Sequence, residues 1–229
     1  MCEENGWSYL STKENNVALV QNVAISKLKQ AKYIFKLDED ILLTEGYFEK
    51  MKLAYEHAWK HSEYRPGVIA PIIPINGYAH MRVLEKLKLK EIYEEKFEKP
   101  LYSAGSFRQI ENNPEVAKFF WGEGGFVPGI DELNRRFSEE KIEERPCPIR
   151  FSIGAIMFER EFFENMGMFR VKRSSNQMGA DEEQICAFAI ASSRPIMVSE
   201  NIVVGHLSFG TQNVEMKKYY EEHKSLFMP

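Results

Sequence analysis

With 229 residues, of which 44% are hydrophobic and 28% charged, the chain carries enough apolar material to bury a substantial core in one domain, and extensive disorder is excluded. Its formal charge of -4 includes no basic block, so the phosphate-neutralising footprint of a nucleic-acid binder is absent. Three scattered cysteines, Cys2, Cys147 and Cys186, form no C-x-x-C pair, no apolar run is long enough for a membrane helix, and the first residues do not read as a signal peptide, which together predict a reducing, cytoplasmic setting.

From Asn16 to about Gln30, Val17, Val20, Ala24, Ile25 and Leu28 recur at helical spacing and predict an amphipathic helix. The β-prone run Tyr33–Leu37 follows and ends in Asp38-Glu39-Asp40. Thr44 is a plausible N-cap for a second helix from about Glu45 to His61, burying Tyr47, Phe48, Met51, Tyr55 and Trp59 or their neighbours. Val68–Ile75 reads as a strand, and Pro71 and Pro74 within it remove two ladder donors, which predicts an edge or interrupted strand. Helix, strand, helix, strand in this order predicts an α/β sheet.

The middle of the chain breaks that rhythm. Residues 81–98 interleave Glu and Lys with Leu and aromatic residues and read as one or two surface helices with a solvated face. Residues 100–147 are rich in Pro, Gly and aromatics, as in an ordered loop lining a pocket or an aromatic mini-core beneath a loop. A single domain over 1–229 with a loop-rich insertion at about 81–149 is the resulting organisation. Regularity returns at Phe151–Phe158, a strand whose Gly154 suits close approach of backbone or ligand, followed by a short helix from Glu159 to Asn165. Arg170–Met178 is polar, Gly179–Gln184 opens an apolar helix at Ile185–Ala191, Arg194–Val198 and Asn201–His206 read as two strands, and Val214–Phe227 as a charged helix.

Asp38 and Asp40 are the residues with the clearest chemical reading. In an extended strand, positions two apart face the same side, so both carboxylates converge while Glu39 turns away, and two carboxylates bind a hard divalent cation. The bland alternative is a solvated acidic turn that closes a strand. The acids at 181–183 have one too, since acidic residues in a first helical turn favour the helix dipole. His206, alone at a strand end, reads first as a buried, hydrogen-bonded histidine.

Taken together, these landmarks resemble the GT-A fold glycosyltransferases that use nucleotide-diphospho-sugars, particularly the inverting family 2. Asn16–Asn22 through Tyr33–Asp40 is similar to that family's approach to its D-x-D metal motif. Phe151–Phe169, with Gly154 and Gly167, is similar to its strand, short helix and glycine-aromatic ending. Gly179–Glu183 resembles the acidic motif that supplies the general base, and Asn201–His206 the late strand whose histidine completes the metal site. The resemblance covers roughly residues 16–210. It implies a GT-A-like mixed sheet flanked by helices, Mn²⁺ or Mg²⁺ held by Asp40, Asp38 and His206, a UDP- or GDP-sugar donor contacted by Asp38 and Asp40, a glycan or other hydroxyl acceptor, and Asp181 or Glu182 as catalytic base, with Glu182 favoured. Only residues 1–37 precede Asp38, fewer than the family's base-binding half needs, so a further chain or segment is expected to complete the N-terminal half.

Two alternatives come from other classes. A non-catalytic glycan-binding or scaffolding subunit would keep the framework without turnover. A haloacid-dehalogenase-like phosphatase also places an Asp pair after an apolar strand, but Leu42 stands where that motif has threonine. An EF-hand is excluded because the residues after Asp40 supply neither the further oxygen ligand nor the glycine its loop requires.

Overall fold

A computed structural model describes residues 2–105, 107–171, 179–208 and 210–227. The polar positions 172–178 therefore lie outside the described residues. In chain order the elements are α1 (Val17–Lys27), β1 (Tyr33–Leu37), β2 (Ile41–Leu42), α2 (Tyr47–His61), β3 (Val68–Ile72), α3 (Ala79–Leu87), α4 (Lys90–Lys96), α5 (Gln109–Asn112), α6 (Pro114–Phe120), α7 (Ile130–Ser138), β4 (Glu144–Pro146), β5 (Ala155–Glu159), α8 (Arg160–Asn165), α9 (Ala180–Ala191), β6 (Ile196–Val203), β7 (Gly205–His206) and α10 (Gly210–Glu222). The architecture is α/β. A mixed sheet runs in the order β1-β5-β3-β6-β4, and β2 and β7 pair separately as a short ribbon.

β3 and β6 run parallel and every residue of both is buried, the pattern of strands covered on two faces. β3 is thus central, and of the two readings its prolines predict, edge or interrupted strand, the interrupted one is found. Its ladder to β5 ends at Ile69, before Pro71, and its register against β6 shifts just after Pro71, so the missing donor falls where the pairing is already interrupted. The two strands expected at 194–198 and 201–206 are instead one continuous β6 followed by the two-residue β7. Ser199, Glu200 and Asn201 are buried within β6, and these polar residues concealed its continuity.

Both flanking helices depart from expectation. Thr44 does not cap α2: Gly46, in the left-handed region at φ 72°, stands at the N-cap with no side-chain bond, and the Thr44 hydroxyl donates to Val203 O at 2.6 Å. α2 buries Tyr47, Met51, Ala54, Tyr55 and Ala58, while Phe48 and Trp59 stay partly exposed. Rings along β1 meet α2 edge-on, Tyr33 against Tyr55 and Phe35 against Tyr47 and Phe48. α1 begins at Asn16, whose side chain accepts from Leu19 N at 3.0 Å. It is not amphipathic in the expected sense, because Val17 and Leu28 are each 60% exposed. Ile25 and Asn22 are the residues it buries, and the Asn22 amide donates to Phe169 O and accepts from Phe169 N.

Helices α3 to α7 fall within or overlap residues 81–149, joined by irregular chain. α3 is no solvated face: His80, Met81, Arg82, Val83 and Leu84 are buried. Tyr93, Phe119 and Phe120 form an aromatic mini-core with edge and tilted ring contacts, and buried Trp121 packs against Tyr219 and Phe227. His80 packs against Tyr93 and Phe120 and donates from Nδ1 to Asn76 O at 3.0 Å. Burial pushes its pKa down from 6.5 to about 4. As pH falls through that window the unfolded chain binds a proton that the folded chain refuses, so stability is lost between those values. The loss is up to roughly 3 kcal/mol. Urea unfolding at neutral pH and near pH 4 checks this: a His80→Leu variant should lack this acid-side component, and an equal decline in both proteins would remove His80 as its source.

Candidate functional site

At the carboxyl end of β1 a cavity of about 540 Å³ opens, and Asp38, Asp40, Asp181, Glu182 and His206 all line it. Chain segments distant in sequence reach it for identifiable reasons. The Asp38 amide donates to Gly154 O at 2.8 Å and closes the β1–β5 ladder. A Cβ on Gly154 would lie 3.1 Å from Ile41 Cδ1 and 3.5 Å from Asp38 Oδ2, so the close approach expected at this glycine is made by the acidic turn itself. Ile41 of β2 pairs with His206 of β7, and Leu207 N donates to Asp40 O. That ribbon brings the histidine to Asp40.

The acidic segment is not extended. β1 stops at Leu37 and residues 38–40 turn, so Asp38 and Asp40 do not share a strand face, and Glu39, expected to point away, lines the same cavity. The two aspartates have different surroundings. Asp38 Oδ1 pairs with Lys36 Nζ at 2.5 Å, and Lys36, only 9% exposed, also donates to Ile153 O. Asp40 Oδ1 lies 3.3 Å from His206 Nε2, with the side chains 20% and 8% exposed. Burial alone would raise Asp40, but the hydrogen bond and charge of His206, with Lys217 farther off, hold its carboxyl below the usual range.

On the opposite wall, α9 starts at Gly179, in the left-handed region at φ 83°, and places Asp181, Glu182 and Glu183 in its first turn without a side-chain cap bond. Their charges are favourable against the helix dipole there, and two of them also have side-chain partners. Gln21 of α1 donates to Asp181 Oδ2 at 3.2 Å. Glu182 is ion-paired with Arg150. Burial raises the Glu182 pKa, Asp181 adds to the rise, and Arg150 and the Ile153 amide oppose it. A Cβ on Gly179 would sit 2.5 Å from the Arg150 guanidinium, so glycine here serves both the turn and the approach of Arg150.

Lys36 and Arg150 were not singled out in the sequence. A lysine inside an apolar strand, two positions before Asp38 and hence on its side of the strand, was the legible signal for the first; nothing local marked the second. Glu111 was missed as well: it lines the cavity, burial raises its pKa, and it accepts from Gly105 N at 3.1 Å.

Among the described residues no three His, Cys, Asp or Glu side chains converge to hold a metal ion. Asp40 and His206 nevertheless fit two-point attachment, an oxygen and an imidazole nitrogen side by side, a donor set that suits Mn²⁺. Asp38 is not brought together with them as a third ligand: Lys36 holds one of its oxygens and the other lies beside Gly154. The chain matches no family model, no curated protein and no solved structure.

Proposed function

We propose that the chain is a metal-dependent inverting glycosyltransferase of GT-A-like fold, moving a sugar from a nucleotide-diphosphate donor to a hydroxyl of a glycan or similar acceptor. The observation that carries this is the charge of the cavity: six carboxylates, Asp38, Glu39, Asp40, Glu111, Asp181 and Glu182, face two permanent cations, Lys36 and Arg150. A diphosphate entering such a site requires added positive charge, and Asp40 with His206 is the pair suited to supply its anchor. A bound Mn²⁺ or Mg²⁺ would stabilise the diphosphate leaving group as a Lewis acid. Lys36 restrains Asp38, leaving its second oxygen for the donor. Glu182 takes the proton of the acceptor hydroxyl as that oxygen bonds to the anomeric carbon and the sugar–phosphate bond breaks.

β1 is the sheet's edge, and its partner among the described residues is β5. Asp38 N bonds Gly154 O and Arg160 N bonds Lys32 O, so alternation turns the backbone groups of Tyr33, Phe35 and Leu37 to the open side. A further chain or segment adding there would complete the donor's base pocket. A second reading is a glycan-binding subunit without turnover, and one observation favours it: Asp38 and Glu182 each already hold an internal counter-ion.

A thermal-shift screen of UDP- and GDP-sugars separates the two. With Mn²⁺ and donor at a hundred times Kd, linkage gives about 2.7 kcal/mol, a Tm rise on the order of 5 °C for a chain of this size. Metal-dependent stabilisation that disappears in Asp40→Asn is the expected result; no response to any donor, or one indifferent to Mn²⁺, would overturn the transferase assignment.

A further inference from the structure

α2 carries two histidines one turn apart, His57 and His61, near its carboxyl end. Positions i and i+4 are neighbours on a helix surface, and the two rings lie 4.7 Å apart between centroids, tilted by 43°. His57 Nδ1 stands 2.8 Å from Oε2 of Glu144 on β4. With that carboxylate ionised, Nδ1–H donates and the lone pair is left on Nε2. This is the outer-shell arrangement that sets the tautomer of metal-binding histidines.

The Glu144 carboxylate that orients His57 is itself held deep against β6. The Glu144 side chain is 4% exposed, yet its other oxygen, Oε1, is buried without a hydrogen-bond partner, and so is the Ser199 hydroxyl. Glu144 and Ser199 oppose each other in the antiparallel β4–β6 ladder, so their side chains lie on one face. Glu144 is thereby fixed by burial and strand pairing with Oε2 committed to His57.

We propose that His57 and His61, oriented by Glu144, chelate a divalent transition-metal ion of the Zn²⁺ class. Two imidazoles select late first-row ions over Mg²⁺ and Ca²⁺. The His57 side chain is 32% exposed, which gives the ion an entry path, and water completes the coordination shell, so affinity is micromolar rather than that of a closed structural site. β4 is at the opposite end of the sheet from β1, and the site is therefore independent of Asp40 and His206.

Isothermal titration of the full chain with Zn²⁺ at neutral pH tests it, with Asp40→Asn as background to remove binding at the cavity. One equivalent should bind in that background, Co²⁺ should substitute with a visible ligand-field spectrum, and His61→Ala, an exposed position, should abolish both. Glu144→Gln should weaken binding by roughly 10- to 100-fold. No Zn²⁺ binding in the Asp40→Asn background, or unchanged affinity in His61→Ala, would overturn the proposal.

Discussion

Glu182→Gln should lower glycosyl transfer by roughly 100- to 10,000-fold, the usual worth of a positioned general base, while leaving the Mn²⁺-dependent thermal shift with donor in place. The two halves of this outcome follow from the geometry. Glu182 sits on the α9 wall with Arg150, whereas the residues suited to hold donor and metal sit at the end of β1 and on β7. Its pKa is raised by burial, which makes the carboxylate a stronger base than an exposed glutamate. Activity should therefore rise with pH through that raised value, and this limb should vanish in Glu182→Gln. Because Arg150 opposes the rise, Arg150→Met should move the limb to higher pH.

The sign on stability is opposite. An acid whose folded pKa lies above 4.5 contributes stability that is lost as pH rises through the folded value, so ionised Glu182 is a burden at neutral pH. Glu182→Gln should not lower Tm, since the Arg150 side chain it leaves behind is half exposed and solvated. Loss of turnover with Tm retained is then not unfolding. Full turnover in Glu182→Gln with loss in Asp181→Asn would transfer the role to Asp181, and full turnover in both would sink the acid–base assignment.

What could be read from the sequence divides along a physical line. Local patterns carried over: the apolar run that becomes β1, the glycine at 154 approached by the acidic turn, and the acidic opening of α9 are each visible within a few residues. Features that depend on partners distant in sequence did not. Pro71 argues for an edge strand until the early end of the β5 ladder is known. Thr44 is a good N-cap in isolation, but Val203 O claims its hydroxyl. Arg150 looks like any arginine near a proline-rich turn, and the return of α9 is what sets it against Glu182. Residues 81–98 read as solvated because their charges are dense, whereas the charge of Arg82 is matched from β6.

That last pairing predicts the largest effect on stability. Glu200, 2% exposed in β6, is ion-paired with Arg82 of α3, with Arg145 Nε at 3.1 Å and Lys86 Nζ at 3.8 Å as outer partners. Arg82 also pairs with Glu85 and donates to the Tyr102 hydroxyl, so one guanidinium joins α3, the segment after α4, and the central sheet. Removing one member of a buried pair leaves an uncompensated charge and typically destabilises by about 3–5 kcal/mol. Arg145 and Lys86 remain as partial counter-ions, which places Arg82→Met near the lower end of that range. The double variant Arg82→Met/Glu200→Met replaces the pair with apolar groups and should recover most of the loss. Denaturant unfolding of the wild type, both single variants and the double variant gives the coupling directly; additive losses would show that the two residues act independently. The same anchor bears on the cavity. Asn76 and Gly77, just before α3, line its wall, and a Cβ on Gly77 would fall 2.1 Å from Ser103 O. α3 set loose from β6 would therefore move that wall, and Arg82→Met should weaken donor binding even though Arg82 does not line the cavity.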